Sequence, residues 1–241
     1  MKITVINATE IKGITFRAKE MFLERFKDAE ITEFYLPKDC PAFCRGCKTC
    51  ILKGEDKCKD FEHIQKIDKA LKEADLIVMA SPAYVFHTTG AMKAMLDHFA
   101  YRWIPHRPSK EMFTKRAVII TQALGAGEKS AAKDIKDSLS WWGISEIYST
   151  SFKLMSEVIW DNLPEKKQIA ITTKMHKLAT KISKIDFNKP GKTSFVAKMK
   201  FYIVRMMQTG LGKKNPDYYD YQYWKRNGWL DNKRPWKESI L

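Results

Sequence analysis

Four cysteines fall within fifteen residues in the segment CRGCKTCILKGEDKC: Cys44, Cys47, Cys50 and Cys58, spaced C-x2-C-x2-C-x7-C. Three closely spaced thiolates with a fourth nearby can ligate a cubane iron–sulfur cluster. The same donors can build a tetrahedral zinc site. A loop of reduced thiols, or one holding a single disulfide, is the plain alternative, and the spacing leaves all three open. Cys40 lies outside the compact set and reads as a mobile thiol. The five histidines, His63, His87, His98, His106 and His176, are scattered and their spacing suggests no metal site.

The remaining chemistry depends on elements that must position it. KITVIN at 2–7 alternates and reads as a strand, EITEFYL at 30–36 as a second. DLIVMA at 75–80 and AVIITQ at 117–122 are short, nearly continuous apolar runs, as expected for strands buried on both faces. Residues 145–150 read as the last strand. Helical spacing marks 15–28, 61–74, 90–102, 128–142 and 164–183, with Gly143 ending the fourth. This alternation predicts a parallel sheet with helices on both faces. In such sheets ligands bind beyond the carboxyl ends of the strands, where strand order reverses. The loops NATEIKGIT, SPAYVFHTTG and TQALGAGEKS are therefore the places to look.

The bulk numbers fit a folded chain. Its 241 residues can bury a substantial core, and 44% hydrophobic content is too high for disorder. No apolar run reaches the length of a membrane span. The N-terminus enters a strand without a signal-peptide pattern, so a cytoplasmic protein is expected. In that compartment clustered cysteines serve as metal ligands or redox groups more often than as structural disulfides. The net charge is +15, and residues 186–241 carry 12 Lys or Arg against 5 Asp or Glu, so the excess concentrates there.

With the loops in view, the chain resembles the flavodoxin-like NAD(P)H-dependent FMN reductases, in particular their iron–sulfur flavoprotein branch. The resemblance covers residues 1 to about 183. SPAYVFHTTGAMKAMLDH at 81–98 is close to that family's SPVYFGSVSGQLKAFIDR signature, and ATEIKGIT at 8–15 occupies the place of its GSPRKGGNT loop. The cysteine spacing also fits. The resemblance implies a doubly wound five-stranded parallel sheet of order 2-1-3-4-5, with residues 1–185 as the FMN-binding domain. It also implies that FMN phosphate is held by Thr9, Lys12, Gly13, Ile14 and Thr15. Hydroxyls, a cation and close backbone approach are what a phosphate needs. Glu10 stands where the family has proline, and it would repel a phosphate unless it points away. The flavin ring is expected against Ser81, Pro82, Ala83, Tyr84, Val85 and Phe86, with Gln122, Ala123 and Gly125 in a turn passing near it. His87 is the one histidine placed near the flavin, with a surface or capping role as its plainer use. In the iron–sulfur branch, Cys44, Cys47, Cys50 and Cys58 correspond to ligands of a [4Fe–4S] cluster.

The implied function is NAD(P)H oxidation through FMN, with electrons passed to a flavin, a quinone, another small acceptor or a redox protein. The cofactor carries hydride transfer, so no side chain is assigned as catalytic. One alternative is one-electron transfer between FMN and a cluster without NAD(P)H turnover. Another is a degenerate flavodoxin-like binding module. A homo-oligomer is expected by resemblance. The extension at 186–241 holds 11 of the 29 aromatic residues. Its segment 194–209 shows Phe195, Met199, Tyr202 and Met206 at helical spacing. Packing on the core or a dimer partner leads. A membrane-surface helix follows, and no nucleic-acid partner is expected because no binding motif accompanies the charge.

Overall fold

The two central strands are apolar along their length because helices cover both of their faces. The computed structural model describes residues 1–155, 157 and 159–238. Its strands are β1 (Lys2–Asn7), β2 (Glu30–Tyr35), β3 (Leu76–Pro82), β4 (Arg116–Leu124) and β5 (Glu146–Leu154). The helices are α1 (Ile14–Leu23), α2 (Thr49–Lys53), α3 (Phe61–Glu73), α4 (Gly90–His98), α5 (Glu128–Trp142), α6 (Glu165–Ser183), α7 (Phe195–Lys214), α8 (Tyr219–Arg226) and α9 (Pro235–Glu238). All strand pairs are parallel and the order is β2-β1-β3-β4-β5, as expected.

Alternate residues of the strands feed two cores. Ile6, Ile77, Met79, Ala117 and Ile119 pack with α3, α4 and α5; Ile3, Val5, Val78, Val118 and Ile120 pack with α1 and α6. The sheet thus has the two-sided cover that parallel pairing requires. Gly143, at φ 109°, takes the left-handed conformation that terminates α5.

Three expectations need correction. The helix foreseen over 90–102 ends at His98 and continues as a tighter 3-10 turn, Phe99–Arg102. The last strand runs on to Leu154, because β4 pairs with it over its full length. Cys40 is not a mobile thiol. It is 2% exposed, packed in the core beside Leu36 and Ile64, and burial pushes its thiol up to about 11.

The extension makes a third core. Phe201 and Val204 of α7 pack with Trp224, Trp229, Ile104 and Phe113. The buried face of α7 is Ala197, Phe201, Val204, Gln208 and Gly212. Of the readings open for the stripe Phe195, Met199, Tyr202 and Met206, packing on this chain's own core does not hold, since those residues are 80%, 45%, 44% and 71% exposed. The helix is apolar on both sides, so periodicity does not choose between them. Small residues choose instead: a Cβ on Gly212 would lie 2.1 Å from the Tyr221 ring, so only glycine permits that approach.

Candidate functional site

The loops after β1, β3 and β4 meet at the carboxyl end of the sheet around a cavity of about 360 Å3. Thr9, Ile11, Gly13, Ile14 and Thr15 line it from the first loop, Pro82, Ala83 and Tyr84 from the second, and Gln122, Leu124 and Leu154 from beyond. Its size lies within the usual range for small-molecule sites.

The first loop turns on Thr9, whose hydroxyl oxygen accepts from the Ile11 backbone N–H at 2.9 Å. Gly13 opens α1, and no side chain caps that helix end. Uncapped first-turn N–H groups beside a cavity suit an anion. The Thr15 hydroxyl donates to Gln122 Oε1 at 3.3 Å, which joins the first loop to β4. Lys12 is exposed, its ammonium 5.4 Å from the Phe16 ring centre. Glu10 is also exposed and does not line the cavity.

The second loop contains a two-residue turn. Tyr84 and His87 exchange backbone hydrogen bonds, and the central residues Val85 and Phe86 have φ of 50° and 69°. Positive φ at both central positions is the type I′ pattern, which favours Asn-Gly. A β-branched and an aromatic residue there carry strain of about 1–2 kcal/mol each. Val85 and Phe86 are nevertheless 91% and 62% exposed. The strained pair therefore presents apolar surface to solvent instead of filling a core; it adjoins Tyr84, which lines the cavity, but neither Val85 nor Phe86 lines it.

Several residues the sequence did not single out hold this turn. Gly127, at φ 106°, lies so close that a Cβ would stand 2.6 Å from Phe86 Cα. Asp134 on α5 accepts from the Thr88 N–H at 3.0 Å and sits 3.1 Å from His87 Nδ1. His87 is exposed and joins this surface pair. Thr89 caps α4 through Met92 N and donates to Ala8 O at 2.8 Å, tying the second loop to β1. Only Gly127 had a local signal, as a glycine just before a helix; Asp134 is one acid among several on a charged helix. Ser81 is buried, with its hydroxyl shared between Pro82 O and Thr88 Oγ1. Ala123 is buried too, and Gly125 donates to Leu154 O. None of these three lines the cavity: Ser81 and Ala123 are buried, and Gly125 is exposed.

The cysteine segment lies between β2 and α3. Gly46 and Lys48 take left-handed conformations, with φ of 65° and 61°. Cys44 and Cys47 are exposed, and Cys50 and Cys58 half-buried. The thiols are near enough that the charges of Cys58, Cys44 and Cys47 all act on Cys50, whose thiol is pushed up first by burial. The Arg107 charge opposes that rise. Cys47 is held below the usual thiol range by a hydrogen bond from the Thr49 side chain. Burial likewise pushes the Cys58 thiol up, so among Cys47, Cys50 and Cys58 only Cys47 is shifted toward the thiolate form in which thiols ligate metals. The ligand atoms of Cys58, Asp60 and His98 lie within 4.8 Å of one another. Cys44, Cys47 and Cys50 do not join so tight a group among the described residues. His98 also meets Ala42 O at 3.0 Å through Nε2.

Comparison with known proteins bears on the family and the fold. Residues 1–155 match the family model of NADPH-dependent FMN reductase. An iron-sulfur flavoprotein of Archaeoglobus fulgidus is 26% identical over 135 residues, 55% of this chain and 58% of that one. A second iron-sulfur flavoprotein from that organism is 34% identical over 103 residues, 40% of this chain and 48% of that one. The chain thus spans about half the length of these curated relatives. The crystal structure of an FMN-dependent NADH-azoreductase from Bacillus anthracis, in complex with FMN, superposes with a TM-score of 0.57 at 13% identity. That likeness covers 76% of this chain and 100% of the other, and concerns the fold alone.

Proposed function

The chain belongs to the NADPH-dependent FMN reductase family, and from that premise we propose that it is an FMN-dependent NAD(P)H oxidoreductase delivering electrons to a flavin, a quinone or another small acceptor. The observation that carries this reading is the cavity at the sheet's carboxyl end, with an uncapped helix on one side and the strained Tyr84–His87 turn on the other. Thr9, Lys12, Gly13, Ile14 and Thr15 would hold the phosphate through N–H groups, hydroxyls and one cation. Pro82, Ala83, Tyr84, Val85, Phe86 and Gln122 would hold the ring, with the buried Ser81 and Ala123 supporting these loops and Gly125 in the turn that follows β4. Bound FMN would supply the hydride-accepting and electron-donating chemistry. The chain's residues bind and orient the ring, and the apolar turn excludes water from one side of it. No side chain has to move a proton. Anaerobic mixing with NADH or NADPH tests the reading: bleaching of the bound flavin's visible band supports it, and an FMN-loaded protein inert to both donors refutes it.

The cysteine segment favours a second component. Four reduced thiols at C-x2-C-x2-C-x7-C spacing on one segment, with Arg107 bonded to the Cys50 carbonyl, support a [4Fe–4S] cluster held by Cys44, Cys47, Cys50 and Cys58. Such a cluster would pass single electrons to or from FMN and on to a redox protein. Stoichiometric iron and acid-labile sulfide after anaerobic purification would bear this out; their absence after reconstitution would remove it. A homo-oligomer in the cytoplasm belongs to the same reading. No helix among the described residues is long and apolar enough to cross a membrane.

A further inference from the structure

The helix α7 is buried on one side and apolar on the other. Its outward side carries Phe195, Met199, Tyr202, Ile203, Met206 and Met207, all between 43% and 80% exposed. These positions recur at threes and fours, so they form one stripe along a 20-residue helix. The third aromatic core already fixes α7 through Phe201 and Val204, so the outward stripe is not required for folding. An exposed apolar patch of this extent marks an interaction surface.

The charges around the stripe indicate what it meets. The sequence of α7 contains five Lys or Arg and no Asp or Glu. An open groove of about 900 Å3 runs along it, bordered by Lys198, Arg205 and Lys213 and by no carboxylate among the described residues. Arg234 donates to the Tyr202 hydroxyl at 3.2 Å. That bond, with the charges of Arg205 and Lys237, holds the Tyr202 phenol below its usual range. Apolar side chains flanked by Lys, Arg and an amphipathic Tyr match the headgroup boundary of a bilayer. A second copy matches poorly, because two such faces would set one basic row against another.

We propose that the outward face of α7 is a membrane-surface docking site, seating its apolar stripe among acyl chains while its basic border meets anionic headgroups. The helix lies in the interface plane and does not cross it. This is independent of the flavin reading.

The test is co-sedimentation of the full chain with phosphatidylcholine vesicles, with and without phosphatidylglycerol. The expected result is binding to the anionic vesicles, much reduced on neutral ones and at high salt. The double variant Ile203→Glu and Met206→Glu should weaken the partition on the order of tenfold or more, through lost apolar burial and added repulsion. Its near-ultraviolet dichroism, from the Trp224 and Trp229 core, should be unchanged, because both sites are exposed. Lys198→Glu with Lys213→Glu should weaken binding as well. Failure to bind any vesicle, equal binding by variant and parent, or binding indifferent to lipid charge each overturns the proposal. A dimer that the double variant dissociates, in a protein that ignores vesicles, assigns the face to a second copy instead.

Discussion

Arg107 and Asp220 are 113 residues apart in sequence and form an ion pair with side chains 1% and 0% exposed. The same guanidinium donates to the carbonyls of Cys50 and Ile51 and reaches Glu55. Asp220 is further bonded by His106 Nδ1 at 2.7 Å and the Tyr218 hydroxyl at 3.1 Å. One buried cation thus fastens the C-terminal extension to the cysteine segment.

Removing one partner should therefore disturb both. Asp220→Asn removes the buried partner of Arg107 and leaves it only the half-buried Glu55 carboxylate, so the loss should approach the lower end of the roughly 3–5 kcal/mol typical of a broken buried pair. Urea unfolding should show that loss, and limited proteolysis should show faster cutting within residues 44–58. A variant as stable as the parent would mean the pair does not hold the segment.

The thiols should react in a set order in metal-free protein. Cys47 is exposed and its thiol is lowered by Thr49, so brief alkylation should label it first. Cys40 should be labelled last, because burial raises it to about 11 from an ordinary 9.0. The fold favours the neutral Cys40 thiol. Its contribution to stability is therefore complete below pH 9 and is lost as pH rises toward 11. Peptide mapping across that range checks the order, and early labelling of Cys40 at neutral pH would contradict its burial.

The turn at the cavity mouth should exchange stability for binding. Val85→Asn with Phe86→Gly supplies the residues type I′ geometry prefers and should stabilise the fold by about 1–2 kcal/mol. It removes apolar surface from the ring site and should weaken FMN binding. Gly127→Ala should do the opposite to stability, costing about 1–3 kcal/mol, because its Cβ has no room beside Phe86. Thermal melts and FMN titration of both variants separate the effects.

Acid sensitivity should include the Arg102–Asp68 pair. Burial raises the Asp68 carboxyl, but the Arg102 charge and hydrogen bonds, aided by Lys72, bring it below its ordinary 3.8. Its stabilising contribution is present above that value and lost as pH falls below it. Asp68→Asn should lower stability at neutral pH and flatten its decline in strong acid, as measured by urea unfolding against pH.

The fold was legible where burial is two-sided: DLIVMA and AVIITQ read directly as central strands. The SPAYVF segment was legible because its order follows a strand and opens a helix. Which face of α7 packs inward was not, since both sides of that helix are apolar and the groups that select one, Ile104, Phe113, Trp224, Trp229 and Tyr221, lie elsewhere in the chain. Cys40 was misread because thiol spacing carries no information about burial. Asp134 and the Arg107–Asp220 pair act across 46 and 113 residues, and no local pattern announces such partners.

The central claim is that the cavity at the sheet's carboxyl end binds FMN, and titration of the purified full chain with FMN, followed by flavin fluorescence, tests it most directly. The account predicts saturable quenching at one FMN per chain, weakened by Gly127→Ala. A chain that leaves FMN fluorescence unchanged while correctly folded would contradict it.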